Sequence, residues 1–428
     1  MRWKSVLMWL LACAFFVGAA GAAAPDLEAL KDALGDAVKE GVKGALADVA
    51  EKPEEAPFHI GIMTGTIAQS EDDVLGAEMM VERYGDASRG GMITHVTYPD
   101  QFMFEMDTTI ERIAALADDP KMRVIVVDQA IPGTTEGFRR VREKRPDILL
   151  FAGHPHEDPD VITEVCDVAV MVDNISRGYL IPFGAKMLGS KTFVHVSFPR
   201  HMSMEVLGRR RAIMEEACKD LGLQFVAETA PDPTEDVGVE GAQRSILESM
   251  PKWLEKYGDD AAFFATNDAH VEPMLKRIAE LGGVFVEASL PSPMMGYPGA
   301  LGIDLSEETG DWPAILKKVE DAVVAAGGAG RMGTWACSFN HTNIAALTEL
   351  GKRVVEGTAK ADSMEDLLSC YNDSSPGTKW NASWYTDPYT GERNGKMLMV
   401  YQSTYVFGKG YLGLADVEVP AKYYGIRR

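Results

Sequence analysis

Polar side chains that could recognise a small molecule follow several apolar segments of this 428-residue chain. Their hydroxyl, amide, imidazole and guanidinium groups suit a ligand that is held by many directed hydrogen bonds. We expect ligand contacts from two groups of such residues, the first comprising Thr64, Thr66, Gln69, Gln129 and His154, and the second Ser197, Arg200, His201, Thr229, Asn267 and Asp268. The alternative role for each of them is a helix cap or a solvent-facing loop side chain.

Aromatic rings and arginines add to this set. Phe198, Tyr297 and Trp335 could stack on a ring, and we include Trp335 among the expected ligand contacts. The alternative for all three is packing in the core or at a hinge. Arg177 and Arg200 could grip a carboxylate or phosphate through a bidentate fork. The alternative for both arginines is a salt bridge to one of the many local acids.

Two further clusters have simpler explanations. The arginine run at 209–211 lies within a predicted helix and is expected to form a solvated face. The segment 154–158, His-Pro-His-Glu-Asp, hints at a metal, but its spacing fits neither a helical zinc motif nor a separated zinc-finger pattern. We therefore expect a polar loop at the edge of a cleft, with no metal and no cofactor.

Predicted strands and helices that alternate along the chain must position these residues. The alternation is interrupted once. Near-continuous apolar runs are typical of parallel strands covered on both faces, and helical periodicity predicts the segments between them. The predicted strands are 59–63, 92–97, 123–127, 148–152 and 168–172, followed after the interruption by 192–196, 224–227, 262–265 and 284–287. The predicted helices are 73–84, 108–117, 135–144, 204–221, 245–257, 271–281, 312–325 and 343–356. The expected fold class is α/β, with two Rossmann-like lobes that have parallel-sheet cores and are joined by a hinge.

The last part of the chain is expected to return to the first lobe. Residues 333–337 read as an extended segment at the return crossing. Residues 357–428 are irregular and aromatic, and the turn-rich stretches 387–391 and 394–395 predict a β-hairpin. We expect the aromatic side chains of this hairpin to cover the first lobe or the hinge.

Several segments share features with a known family, namely strands that run into polar loops and segments where the chain crosses between lobes. These segments and residues are 60–66, 173–174, Gly178, Gly184, 263–269, Thr334 and Trp335. Through them the chain resembles the type I periplasmic solute-binding proteins over roughly residues 58–356. Long insertions and the aromatic tail depart from the sugar-binding members and indicate an uncharacterised bacterial branch. The resemblance implies a ligand enclosed between the lobes.

The N-terminal segment predicts export. A short basic start, an apolar run and small residues ending at 22–24 have the layout of a signal peptide. Residues 10–13 also resemble a lipoprotein cleavage box, so a lipid anchor at Cys13 is the alternative to a free N-terminus. We expect a periplasmic or other extracytoplasmic location. The predicted domains are a signal peptide at 1–24, an N-terminal helix and linker at 25–57, lobe 1 at 58–172 plus 334–428, and lobe 2 at 173–333.

The net charge limits the classes of partner, and the cysteine spacing limits the possible roles of the thiols. A net charge of −22 argues against nucleic acid and anionic lipid surfaces as partners. After the signal segment the cysteines form no Cys-x-x-Cys pair, and Cys166 and Cys218 are expected to be small buried groups. A disulfide between Cys337 and Cys370 is an open alternative in an exported protein.

These observations together predict a binding protein and not an enzyme. We expect an extracytoplasmic solute-binding protein that captures a small polar molecule and delivers it to a membrane transporter permease. The first alternative is a sensory binding protein that signals to a membrane receptor. The second is an exported enzyme that uses His154 or His201 as a general base.

Overall fold

The structure, a computed structural model, describes residues 55–67, 69–235 and 237–428. Residues 56–428 form one compact unit. The predicted signal peptide, the alternative anchor site Cys13 and the predicted N-terminal helix lie outside the described residues. Within the described residues, every helix is too short or too polar to cross a membrane.

Strands and helices alternate from His59 onwards through most of the described residues. The strands are β1 (His59–Thr64), β2 (Ile93–Thr97), β3 (Met122–Asp128), β4 (Leu149–Gly153), β5 (Val168–Val172), β6 (Thr192–Ser197), β7 (Gln224–Thr229), β8 (Ala262–Ala265), β9 (Gly333–Thr334), β10 (Trp380–Thr386), β11 (Arg393–Gln402), β12 (Tyr405–Val406) and β13 (Gly410–Tyr411). The helices are α1 (Glu71–Tyr84), α2 (Met106–Leu116), α3 (Thr134–Lys144), α4 (Pro159–Thr163), α5 (Asn174–Met187), α6 (Pro199–Ser203), α7 (Glu205–Leu221), α8 (Gly238–Tyr257), α9 (Val271–Leu281), α10 (Tyr297–Leu301), α11 (Trp312–Ala325), α12 (Phe339–Val355) and α13 (Met364–Ser374).

Lobe 1 is built on a seven-stranded sheet in the order β10-β11-β5-β4-β3-β1-β2. All neighbouring strands are parallel except the antiparallel pair β10 and β11. One face is covered by α1, α12 and α13, and the other by α2 and α3. Burial on both faces explains why the strands read as continuous apolar runs in the sequence.

Lobe 2 is built on the parallel strands β7-β6-β8, with α8, α9 and α11 on one face and α5 and α7 on the other. The predicted strand 284–287 is reduced to isolated bridges at Val284 and Phe285. Further along, the carbonyls of Ala288 and Ser289 accept hydrogen bonds from Arg177. The fold class predicted from the sequence is confirmed. The lobe boundaries stay a prediction.

The C-terminal part is expected from its sequence to cover lobe 1 with aromatic side chains, but it also adds strands to the sheet of that lobe. The expected hairpin is confirmed as β10 and β11, whose turn spans the predicted residues 387–391. However, β11 also pairs with β5 in parallel, with Met397 opposite Ala169. The tail therefore extends the sheet of lobe 1 instead of only covering it.

The final residues cross to lobe 2, which corrects the expectation of a solvated arginine face. We call residues 421–428 the C-terminal strap. Arg209 is only 1 % exposed, and its guanidinium donates to the carbonyls of Tyr424 and Ile426 in the strap and of Thr386 in β10. Arg210 is also fully buried. The expected solvated face at 209–211 is wrong because α7 is covered by segments distant in sequence.

The four cysteines among the described residues are buried thiols. Cys166, Cys218, Cys337 and Cys370 are all free, so the alternative of a disulfide between Cys337 and Cys370 does not hold. Burial raises the pKa of each thiol to about 12. These side chains therefore behave as small apolar groups, as expected for Cys166 and Cys218.

Candidate functional site

A cavity of about 90 Å³ lies between the two lobes. Its wall comprises Gln129, His154, Pro155, His156, Met171, Asn174, His201, Met204, Val206, Leu207, Thr266, Asn267, Asp268, Ser289 and Leu290. The volume is below the roughly 150 Å³ of an engineered protein cavity that holds benzene. In this conformation the space therefore suits a ligand of only a few heavy atoms.

On the side of lobe 1, His154 follows β4 in an unusual backbone conformation. Its φ is 42°, in the left-handed region that costs a non-glycine residue about 1 kcal/mol or more. The conformation is held by a 2.6 Å hydrogen bond from its backbone N–H to the carbonyl of Val170 and by edge-on packing against His156 and Phe339. Strain of this kind concentrates at functional sites.

On the side of lobe 2, three polar side chains form a connected row. The Thr266 hydroxyl, directly after β8, lies 2.7 Å from Oγ of Ser197 and 3.2 Å from Nδ1 of His201. Thr266 and His201 line the cavity, while Ser197 supports Thr266 from behind. The row therefore fixes the orientation of the hydroxyl that a ligand would meet.

Asp268 also lines the wall of lobe 2, with its Oδ1 atom lacking a hydrogen-bond partner. The preceding Asn267 caps this turn by accepting a 3.0 Å hydrogen bond from the amide of Ala269. Burial raises the pKa of Asp268 to about 7, with a further increase from Asp72 and an opposing effect from Arg210. A donor in the cavity would satisfy this oxygen.

The two lobes meet at the floor of the cavity, where α5 begins. The Oδ1 atom of Asn174 accepts a 2.5 Å hydrogen bond from Arg210, and its Nδ2 atom has no partner. Arg210 reaches Oγ of Ser289 at 3.2 Å and lies over the ring of Phe264, while its Nε also lacks a partner. Both Asn174 and Arg210 are 0 % exposed. The floor therefore offers the unused Nδ2 donor of Asn174.

Next to this floor a buried ion pair joins the segments that cross between the lobes. The hinge cluster consists of Arg177, Glu287, Trp335 and Thr404. Nε of Arg177 donates to Oε1 of Glu287 at 2.7 Å, while Trp335 and Thr404 donate to Oε2 at 2.9 and 2.6 Å. Arg177 also lies over the indole of Trp335. The alternative role given to Arg177, a salt bridge, is the one observed.

The histidines of the wall are held neutral. Burial lowers the pKa of His154 well below its usual range, and lowers that of His156 to about 4 and that of His201 to about 3. The positive charges of Arg200 and Arg210 strengthen this effect. Each imidazole therefore presents one donor and one acceptor at pH 7.

Behind the wall of lobe 1 lies a pair of buried carboxyl groups. Nε2 of Gln129 donates to Oδ2 of Asp73 at 3.4 Å, and Asn343 donates to Oδ1 of Asp128 at 2.9 Å. Both aspartates are 0 % exposed and each has an unpartnered oxygen. Burial raises the pKa of Asp128 to about 7, and burial together with the charge of Asp128 raises that of Asp73.

Replacing Asp128 by asparagine tests this assignment. In the unfolded chain the carboxyl ionises near pH 3.8, but in the folded protein only near 7, so ionisation removes stability as the pH rises between these values. We expect Asp128→Asn to gain at least about 1.4 kcal/mol relative to the wild type between pH 5 and pH 8, the value of one pKa unit. Urea denaturation at both pH values measures the free energy of unfolding.

Asp232→Asn is the matched control with the opposite sign. Although burial raises the pKa of Asp232, its hydrogen bonds with Arg200 and Thr234 lower it to about 2. The ionised form therefore stabilises the protein above about pH 4, and this contribution is lost as the pH falls towards 2. The control should be destabilised at pH 5 and pH 8 alike. A pH-independent effect of Asp128→Asn would contradict the buried-acid assignment.

The structure brings some of the predicted residues to the cavity and places others elsewhere. Gln129, His154, His201, Asn267 and Asp268 line the wall. Thr64 is buried and bonded to His95, whereas the side chains of Thr66 and Gln69 bind Asp100 in the next loop. Thr64, Thr66 and Gln69 therefore stabilise the edge of lobe 1 in this conformation.

On lobe 2, the remaining predicted residues are also engaged or turned away. Arg200 forms a bidentate pair with Asp232, at 2.7 and 2.9 Å, which is the alternative considered for it. Thr229 is exposed at the end of β7. Ser197 contacts the cavity only through Thr266.

The three candidate stacking residues are buried away from the cavity wall. Trp335 is 0 % exposed and belongs to the hinge cluster. The hydroxyl of Tyr297 donates to the carbonyl of Gly333 at 2.8 Å, and Phe198 packs on His201 with ring centroids 4.2 Å apart. Their packing in the core or hinge, the alternative role, is what the structure shows.

Sequence reasoning missed His156, Asn174, Thr266 and Ser289 as wall residues. Asn174 and Thr266 each stand directly after a predicted strand or at the crossing, so the rule that selected Asn267 could have selected them. Ser289 has no such signal, since it lies on an irregular return segment.

The His-Pro-His-Glu-Asp segment is divided between two roles. His154 and His156 line the cavity, whereas the Glu157 carboxylate accepts hydrogen bonds from the amides of Gly133 and Thr135 at the start of α3. A carboxylate is favoured there by the helix dipole. No group of three or more His, Cys, Asp or Glu side chains suited to a metal ion occurs among the described residues.

Comparison with known proteins identifies relatives of unassigned function. The family profile described as "Protein of unknown function (DUF3798)" matches residues 58–333, and a second profile without a description matches residues 344–426. Two uncharacterised proteins of Treponema pallidum (strain Nichols) are similar. One is 48 % identical over 178 residues, covering 41 % of this chain and 80 % of the relative. The other is 41 % identical over 211 residues, covering 49 % of this chain and 95 % of the relative.

Solved structures show the fold. A protein from Clostridium difficile 630, proposed as a transcriptional regulator, has a TM-score of 0.69 and 22 % identity, covering 82 % of this chain and 99 % of its own. A sugar ABC transporter protein from Actinomyces odontolyticus ATCC 17982 has a TM-score of 0.51 and 10 % identity, covering 85 % and 98 %. The predicted type I solute-binding fold, in an uncharacterised branch, is confirmed.

Proposed function

We propose that the chain, which belongs to the DUF3798 family of proteins of unknown function, captures a small polar molecule between its lobes and delivers it to a membrane transporter. The observation that carries this proposal is the convergence of unpartnered polar atoms from both lobes on one cavity. His154 comes from lobe 1, Asp268 from lobe 2 and Asn174 from the crossing between them. A cavity lined from both sides is a general arrangement for enclosing a ligand.

Unpartnered polar atoms make the closed form costly when no ligand is bound. A buried polar atom without a partner costs about 1–3 kcal/mol, and Asn174 Nδ2 and Asp268 Oδ1 are two such atoms. A solute that pairs with both lobes removes this cost only when the lobes are together. The ligand therefore shifts the population towards the closed form by its preference for that form.

The electrostatics of the wall argue against a histidine acting as a general base. A general base works best when its pKa lies near the operating pH. The pKa of His201 is lowered to about 3 by burial and by Arg200, and that of His154 is also lowered strongly. Both imidazoles are therefore weak bases, suited to hydrogen bonding. An extracytoplasmic location and a permease partner complete the proposal.

Binding is tested on the whole purified chain with a panel of sugars, nucleosides, amino acids and small organic acids. We expect at least one compound to raise the thermal unfolding temperature, since a ligand at one hundred times its Kd adds about 2.7 kcal/mol to stability. Small-angle scattering should show a more compact protein with that compound bound. A complete lack of response across all classes would contradict the proposal.

Removing the Thr266 hydroxyl tests whether the compound binds in this cavity. Thr266→Val should weaken binding of the compound identified in the panel about tenfold, because it removes the hydroxyl ordered by Ser197 and leaves its partners unpaired. Thr309→Val, in an exposed loop, is the matched control and should bind as the wild type does. Equal affinity of the two variants would place the bound compound outside this cavity.

Delivery is tested separately from binding. Crosslinking in membranes of the source organism should join the loaded protein to a transporter permease, and less so without the compound. Recovery of a membrane receptor kinase instead would favour the sensory alternative and refute delivery.

A further inference from the structure

The side chains that line the cavity indicate which class of ligand it suits. Among the described residues that line it, no phenylalanine, tyrosine or tryptophan occurs. The hydrocarbon part is instead aliphatic, with Met171, Met204 and Leu290 as examples. A flat ring gains affinity by stacking on an aromatic side chain. The wall therefore suits a small ligand with an aliphatic part and few polar groups.

The floor of the cavity favours an anionic group. Arg210 carries donors only, so the Asn174 atom that it contacts must be the amide oxygen, and Nδ2 is the atom left without a partner. Among the residues that the structure describes, no carboxylate contacts Arg210 directly; its side-chain hydrogen bonds go to Asn174 and Ser289. A buried cation without a contacting counter-ion is costly. A carboxylate placed against Asn174 Nδ2 would gain a hydrogen bond and the attraction of Arg210.

The wall of lobe 2 favours a donor. Asp268 presents an unpartnered Oδ1 atom to the same cavity. When ionised, a carboxylate accepts hydrogen bonds only. An ammonium group would both donate to Asp268 and neutralise it. The floor and this wall therefore call for opposite charges on one small molecule.

We propose that the ligand is a small aliphatic amino acid, with its carboxylate on Asn174 in the field of Arg210 and its ammonium on Asp268. This assignment rests on the proposed function, because it concerns the same cavity. The volume of about 90 Å³ fits a ligand of few heavy atoms. The side chain of the amino acid would contact Met171, Met204 or Leu290.

Isothermal titration of the whole chain compares L-alanine, L-serine and L-leucine with matched compounds that lack one charge. We expect at least one of these amino acids to bind, and both its decarboxylated amine and its deaminated acid to bind at least 100-fold more weakly. Binding of L-lactate as tight as that of L-alanine would overturn the ammonium contact. Binding of D-glucose or adenosine but of no amino acid would overturn the ligand class and leave the proposed function standing. No binding by any of these compounds would overturn the amino-acid assignment, whereas the proposed function is decided by the wider panel.

Two nearly isosteric variants separate the contacts from folding. Asn174→Asp keeps an oxygen acceptor for Arg210 but turns the free donor into an anionic oxygen, so we expect at least a 100-fold loss of amino-acid affinity with an undiminished unfolding temperature. Asp268→Asn should bind the amino acid at least tenfold more weakly, because it removes the carboxylate that pairs with the ammonium. Asn372→Asp, exposed on α13, is the matched control with unchanged affinity. Wild-type affinity in Asn174→Asp would overturn the proposal.

Discussion

Replacing Arg177 by methionine is expected to lower the free energy of unfolding by about 3–5 kcal/mol, the cost of breaking a buried ion pair from one side. Arg177 and Glu287 have side chains only 2 % and 3 % exposed. The substitution leaves the Glu287 carboxylate buried without its cation. It also frees the carbonyls of Ala288 and Ser289, which accept from the same guanidinium at 2.7 and 2.9 Å. Urea denaturation followed by circular dichroism measures the loss.

Arg244→Met is the matched control for this experiment. Arg244 pairs with Glu240 on the surface of α8, where both side chains are largely exposed. Exposed pairs contribute about 0–1 kcal/mol, so this variant should be nearly as stable as the wild type. A loss below about 1 kcal/mol in Arg177→Met would show that the hinge cluster does not stabilise the crossing.

Replacing Arg209 by methionine is expected to lower the free energy of unfolding by at least about 3 kcal/mol and to release the C-terminal strap. The guanidinium donates to three carbonyls, those of Tyr424 at 2.6 Å, Ile426 at 2.9 Å and Thr386 at 3.1 Å. Hydrogen bonds to a charged group contribute about 1.5–3 kcal/mol each, and the carbonyls left behind lose their partner. Limited proteolysis with C-terminal mass analysis should show faster removal of residues 421–428 than in the wild type.

Arg211→Met provides the matched control on the same helix. Arg211 is half-buried, and its Nε atom has no hydrogen-bond partner. The variant should lose well under half of the stability lost in Arg209→Met and should keep the strap protected. Equal proteolysis of the two variants would mean that the strap is held by its apolar contacts, such as the packing of Tyr423 on Tyr179.

The strands of both lobes could be predicted because their signal is local. Continuous apolar runs such as Val168–Val172 result from burial on both faces, and the residues directly after them form the polar rim. This rule located His154, Asn267 and Asp268 at the cavity. It also selected Thr64, the last residue of β1, and Thr66 just beyond it, but these side chains are engaged by His95 and Asp100.

The rest of the site depends on contacts between residues distant in sequence. Arg209 and Arg210 look like a charged surface until residues from β10, the strap and α5 cover them. The partners of Glu287 lie in three different segments, which no local pattern connects. Burial of charge is therefore the feature that the sequence could not predict here, because it is decided by partners chosen in the folded state.

The pairing of β11 with β5 has a consequence for the order of folding. Met397 lies opposite Ala169, so one side of β5 has no partner until nearly the whole chain has been made. The sheet of lobe 2 needs only residues up to Ala265 and can assemble first. Contacts so far apart in sequence slow folding, and an unpaired strand edge is a site of aggregation. During synthesis the edge of β5 therefore stays open longest, and chaperones that bind extended segments are expected to act there.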